Sequence, residues 1–81
     1  MKMLKVILIT PEKILFEGTA HGVIFPGERG TFEVGPFHRT LVSRLVPGAI
    51  VIDQRTFSIQ RGIVKVEKDT VTSLVETDLF S

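Results

Sequence analysis

Two histidines, nine carboxylates and a Glu-Arg pair bounded by glycines are the residues of this 81-residue chain whose types invite chemistry. His21 and His38 have the side chain for general-base work or metal ligation, but a triad needs an acid and a nucleophile beside the base. Neither histidine has such partners in a recognisable pattern, although triads are assembled in space rather than in sequence. The carboxylates Glu12, Glu17, Glu28, Glu33, Asp53, Glu67, Asp69, Glu76 and Asp78 are scattered, without the ligand spacing of a divalent-cation loop. They read as solvated strand and turn residues. Gly27-Glu28-Arg29-Gly30 would offer amides to a phosphate only as part of a longer loop ending in Gly-Lys-Ser/Thr and feeding a helix N-terminus. The chain has neither that lysine nor that helix, so the expectation is a tight turn with two glycine hinges. No catalytic, cofactor-binding or metal-binding residue is expected.

The remaining chemistry-bearing features are equally bland. Met1-Lys2-Met3 places a lysine between methionines, as biotinyl carrier domains do, but those domains present it at a hairpin tip in mid-chain. An oligonucleotide-binding barrel needs aromatic residues grouped on one sheet face with basic residues around them. Phe16, Phe25, Phe32, Phe37, Phe57 and Phe80 are separated, and core packing accounts for most of them. Ten basic and nine acidic residues give a net charge of +1 with no charged block, so nucleic acid is not expected as a partner. With no cysteine, a disulfide scaffold, a zinc ribbon and a thiol nucleophile are all excluded.

The elements that must position these residues read as short strands. Turn residues recur roughly every eight to twelve positions, the punctuation of an all-β sandwich or barrel. Leu4 to Thr10 is expected as the first strand, with Leu4, Val6 and Leu8 on one face and Ile7 and Ile9 on the other. Ile14 to Glu17 follows Pro11-Glu12-Lys13, Gly18 is expected to form a bulge, and Ala20 to Phe25 makes a third strand. From Pro26 to Leu45 an irregular connection is expected, shaped by its glycines and prolines. His38 to Val46 fits both a helical and a strand period, and its bounding prolines favour a strand. Ala49 to Asp53 and Thr56 to Gln60 form a hairpin around Gln54-Arg55, with Phe57 and Ile59 inward. Gly62 is expected to interrupt the chain before Ile63 to Val66. A last hairpin turns at Glu67-Lys68-Asp69 and places Val71, Ser73 and Val75 on one face. The expected fold is thus one domain over residues 1–81, a small antiparallel β-sandwich or flattened barrel of about eight to ten short strands. A stability of roughly 4–8 kcal/mol suits a domain of this size. No segment approaches the roughly 20 apolar residues of a membrane-spanning helix, so any membrane contact is expected through a partner.

In order and spacing these features resemble the N-terminal β-sandwich domain of the epsilon subunit of F-type ATP synthases. The resemblance opens at Pro11-Glu12-Lys13-Ile14-Leu15-Phe16-Glu17-Gly18. It continues through Pro26-Gly27, Gly30-Thr31-Phe32 and Pro36-x-His38 with Leu41-Val42, similar to the family's G-x-F-G-I-L-P-G-H-A-P-L signature. Leu45-Val46-Pro47-Gly48, Gly62 to Val66 and Thr70 to Val75 resemble its closing turn and strands. Glu33, Gly35, Phe37 and Arg39-Thr40 depart from the signature, and Gln60-Arg61 from the residues usual before Gly62. The hydrophobic pattern is kept.

That resemblance implies a non-catalytic rotor part of the central stalk, without cofactor, joining the gamma subunit to the c-subunit ring on the cytoplasmic face of the membrane. It touches the membrane only through the ion-translocating sector. Because the chain stops at Ser81, it is expected to lack the family's C-terminal helical hairpin. Position in the motif implies a c-ring contact at Glu28, Arg29, Thr31 and Phe32, and a gamma contact at Thr10, His38, Val42 and Ser43. Gly30, Pro36, Pro47, Gly48 and Gly62 would shape the backbone. The alternative is a stand-alone all-β binding module or a biotinyl/lipoyl-type carrier.

Overall fold

The computed structural model describes residues 2–78 as nine strands and no helix. In chain order they are β1 (Leu4–Ile9), β2 (Ile14–Ala20), β3 (Val23–Gly27), β4 (Gly30–Val34), β5 (Leu41–Leu45), β6 (Gly48–Ile52), β7 (Arg55–Ile59), β8 (Arg61–Glu67) and β9 (Thr70–Glu76). The expected count of short strands is met. Phe80 lies outside the described residues.

All nine strands belong to one sheet that runs β2-β1-β9-β8-β5-β3-β6-β7, with β4 added beside β3. Curling brings its two ends together. Phe16 of β2 and Phe57 of β7 meet edge to face at 6.3 Å, and the Arg55 guanidinium lies 5.4 Å from one ring and 5.6 Å from the other. These side chains close the sandwich where no backbone ladder joins β2 to β7. The enclosed core is aliphatic around one phenylalanine: Leu4, Val6 and Leu8 from β1 meet Phe25, Ile50, Ile52, Val64, Val66 and Val71. Alternation explains this directly, since residues two apart in a strand share a face.

Several boundaries differ from expectation. The bulge in β2 is at Leu15, because Leu8 pairs with Phe16 and Ile9 with Ile14, while Gly18 pairs regularly with Val6. The chain breaks at His21-Gly22, so Ala20 ends β2 and does not begin β3. The β6–β7 turn is Asp53-Gln54, one residue earlier than expected, since Ile52 pairs with Arg55. Gly62 sits within β8, and the segment from Pro26 to Leu45 contains a further strand, β4. The fold is not wholly antiparallel: β1 and β9 run parallel, Lys5 opposite Thr70 through Ile9 opposite Leu74. A parallel pair needs a long crossover, and here everything between β1 and β9 supplies it.

The shifted β6–β7 turn has a physical cause. Asp53 takes a positive φ of 52°, which aspartate tolerates better than most residues. Its carboxylate accepts hydrogen bonds from the His21 amide at 3.0 and 3.2 Å and from the Gly22 amide at 3.1 Å. The His21 amide is the main cause that holds Asp53 below its ordinary value of 3.8, with the Gly22 amide and the His21 ring adding to it against some desolvation. A lowered folded-state pKa means that the stabilisation is present above the unfolded value and is lost as pH falls through the folded one. Asp53→Asn should therefore flatten the acid side of the stability profile. Urea midpoints between about pH 6 and 2 check this, and parallel curves for the two proteins would exclude the mechanism.

Candidate functional site

At one end of the sheet, β3 turns into β4 through Glu28-Arg29, with Gly27 opposite Gly30. Both glycines are required for different reasons. Gly30 has φ +124°, and a Cβ on Gly27 would stand 2.7 Å from the Gly30 carbonyl oxygen and from the Phe32 ring. The tip is fastened to the neighbouring strands: the Glu28 amide donates to the Arg44 carbonyl at 3.2 Å and the Val46 amide to the Pro26 carbonyl at 2.9 Å. Gly48, after Pro47, lets β6 start against Pro26, whose Cβ would be 2.8 Å from an added Cβ.

Beyond this tip, β3 and β5 part. They pair only at Gly27 and Leu45, and an open groove of about 740 Å³ lies between the hairpin tip and β5. Glu28, Arg29, Thr31 and Phe32 line one side, and Val42 and Ser43 the other. The structure thus brings together the four residues expected at the ring and two of those expected at gamma. Phe32 is half-buried, stacked 5.6 Å from Phe25, so it forms the floor of the groove and is not a free knob.

The other two expected gamma residues lie apart from the groove. Thr10 is only 7% exposed, and its hydroxyl oxygen accepts from the Glu12 amide at 3.2 Å and the Lys13 amide at 3.0 Å, clasping the β1–β2 turn. Next to it, Pro11 lines a second hollow of about 330 Å³ with Glu28 and Arg44. His38 is half-buried in the β4–β5 connection, with Nδ1 2.8 Å from the Arg39 carbonyl oxygen. The other histidine, His21, is over Asp53 at 3.6 Å in a different turn. Lys2 pairs with Asp69 at 3.5 Å.

Sequence reasoning missed three features. Arg39 and Arg44 also line the groove, which only the pairing of strands could reveal. Phe37, after Pro36, is 80% exposed and has φ +65°. A bulky residue seldom adopts that conformation. It is held by Asp69, whose carboxylate accepts from the Phe37 amide at 2.7 Å. Its place where a related signature has glycine was the signal for positive φ.

Known proteins resemble this chain in sequence and in fold. The epsilon chain of the ATP synthase of a Nitratiruptor species is 41% identical over 94% of this chain and 63% of its own length. That of Xanthomonas euvesicatoria is 37% identical over 86% of this chain and 54% of its own. This chain therefore spans a little over half to just under two-thirds of those relatives. In fold it matches a chain of the Tetrahymena thermophila mitochondrial ATP synthase central stalk and c-ring structure, with TM-score 0.76 at 18% identity over 93% of this chain and 64% of that one. A chain of the Euglena gracilis mitochondrial ATP synthase matches with TM-score 0.83 at 15% identity, over 90% of this chain and 50% of that one. Residues 3–79, a span that includes all nine strands with the hairpin tip and groove, match the family described as "ATP synthase, Delta/Epsilon chain, beta-sandwich domain", and the chain belongs to that family.

Proposed function

We propose that this chain acts as the β-sandwich part of an ATP synthase epsilon subunit. It is a non-catalytic component of the rotor that links gamma to the c ring and so couples ion flow to ATP synthesis. The observation that carries this reading is the convergence of Glu28, Arg29, Thr31, Phe32, Val42 and Ser43 on one groove of a domain of that family. A connector that transmits torque must resist deformation, and a close-packed sandwich does so. The domain meets the membrane only through the ring, on the cytoplasmic face.

A second surface supports two partners. Pairing aligns Arg44, Ile63, Leu74, Ile9 and Ile14 across five strands. Ile14 is 61%, Ile63 46% and Leu74 45% exposed, with Val42 at 62% nearby on β5. Contiguous exposed apolar side chains mark interaction surfaces, and this stripe, bordered by Val42, suits gamma. The hairpin tip, charged and polar at Glu28, Arg29 and Thr31, suits the polar loops of the ring.

Reversing both tip charges, Glu28→Lys with Arg29→Glu, should weaken docking on the ring while leaving the fold intact, because both side chains are exposed. A rim charge is worth about 1 kcal/mol or less in stability, so the thermal midpoint should barely move. ATP-driven proton pumping in membranes reconstituted with the variant should fall, and unaltered pumping would count against the ring assignment. An alanine scan of Thr10, His38, Val42 and Ser43 tests the gamma face by the same logic, with co-purification of gamma as the readout.

A further inference from the structure

The groove has two properties that membership of a rotor does not require. Three guanidinium groups, Arg29, Arg39 and Arg44, border it against the single carboxylate of Glu28. None of the three is ion-paired with a carboxylate among the described residues. The second property is in the backbone. β5 pairs with β8 at all five of its residues, but its opposite edge meets β3 only at Leu45. No strand covers that edge from Leu41 to Ser43 among the described residues, and those residues form one wall of the groove.

An uncovered strand edge offers N–H and C=O groups in a row, and an extended peptide satisfies them by adding as a further strand. Guanidinium groups recognise carboxylates through paired, charge-assisted hydrogen bonds. We propose that the groove receives an extended, acidic segment of a partner polypeptide, seated along the free edge of β5 with its carboxylates among Arg29, Arg39 and Arg44. A phosphate-bearing polymer would satisfy the arginines but would leave the strand edge unpaired, so the edge selects a peptide. This inference rests on the reading of the groove as a docking site and specifies the chemistry of what docks there.

The test uses the full chain, isotopically labelled, titrated with a short peptide of alternating glutamate and valine. Amide shifts should concentrate at Leu41–Ser43 and at the hairpin tip, and affinity should fall as salt is raised. The double variant Arg39→Glu, Arg44→Glu should bind about tenfold more weakly or worse, and Arg39→Lys, Arg44→Lys should regain much of the loss. Both arginines are exposed, so unchanged thermal midpoints will show that the variants fold. The same peptide N-methylated on its pairing edge should not bind. Shifts elsewhere, no saturable binding, indifference to N-methylation, or equal binding of a single-stranded oligonucleotide would each overturn the proposal. Co-purification separates it from the rotor reading. If the unaltered chain binds the peptide yet fails to co-purify with gamma and the ring, only the rotor reading falls; if it co-purifies but ignores the peptide, only the acidic-segment inference does.

Discussion

Phe25→Ala should cost about 3–5 kcal/mol, the range for emptying a buried aromatic site. Phe25 is fully buried and is the largest side chain in the core. Its ring stacks on Phe32 at 5.6 Å with a 28° tilt, so its removal also leaves the floor of the groove unsupported. Against a total stability of roughly 4–8 kcal/mol for a domain of this size, that loss approaches global unfolding. Partial collapse of Phe32 into the space would bring the cost toward the lower end, because the penalty grows with the cavity that remains. Phe25→Leu keeps most of the volume and should cost no more than about 1.5 kcal/mol. Urea midpoints for the two variants check the ordering. A cost for the alanine variant no larger than for the leucine one would mean that Phe25 is not the centre of the core.

The inward faces of β1, β7 and β9 were legible because period-two alternation of large apolar residues leaves little choice of register. Leu4, Val6 and Leu8 are all buried, as are Val71, Ser73 and Val75. Places where a polar side chain does a backbone job were not legible. Asp53 moves a turn by one residue because its carboxylate reaches two amides more than thirty positions away, and no local propensity encodes that partner. The parallel pairing of β1 with β9 was hidden for a similar reason, since it joins the two ends of the sheet-forming sequence.

The groove was legible only in part. Glu28 and Arg29 announced themselves between two glycines, and Val42 and Ser43 followed from the motif. What joins them is the divergence of β3 from β5 after a single pair, a tertiary property. Arg44 shows the consequence: in sequence it is one more strand residue, whereas in the fold its carbonyl anchors the hairpin tip and its guanidinium borders the groove. Phe37 reads in sequence as core material. Its exposure together with left-handed φ is the kind of local strain that persists only when neighbours impose it, and the Asp69 carboxylate is the neighbour that does.

Gly62→Ala should destabilise the domain by about 1–3 kcal/mol, the cost of overpacking a site whose surroundings must move. The sign is not obvious in advance. Replacing glycine by alanine where the backbone is compatible stabilises by about 0.4–1 kcal/mol, through the unfolded chain, and Gly62 has no positive φ to forbid it. Space decides the matter. Gly62 lies within β8 between Leu45 of β5 and Val75 of β9. A Cβ there would stand 2.7 Å from the Leu74 carbonyl oxygen, 2.7 Å from Val75 Cγ1 and 3.1 Å from Val75 Cα. Two of those atoms are backbone, so β9 itself would have to shift, and with it the pairing that holds Leu74 in the exposed apolar stripe. Gly35→Ala is the matched control, because nothing lies within 4 Å of its added Cβ and its φ is not positive. It should leave stability unchanged or raise it by up to about 1 kcal/mol. Thermal melts of both variants decide the question: equal midpoints would show that β8 and β9 relax freely around residue 62, and that the glycine there is not enforced by close packing of the sheet.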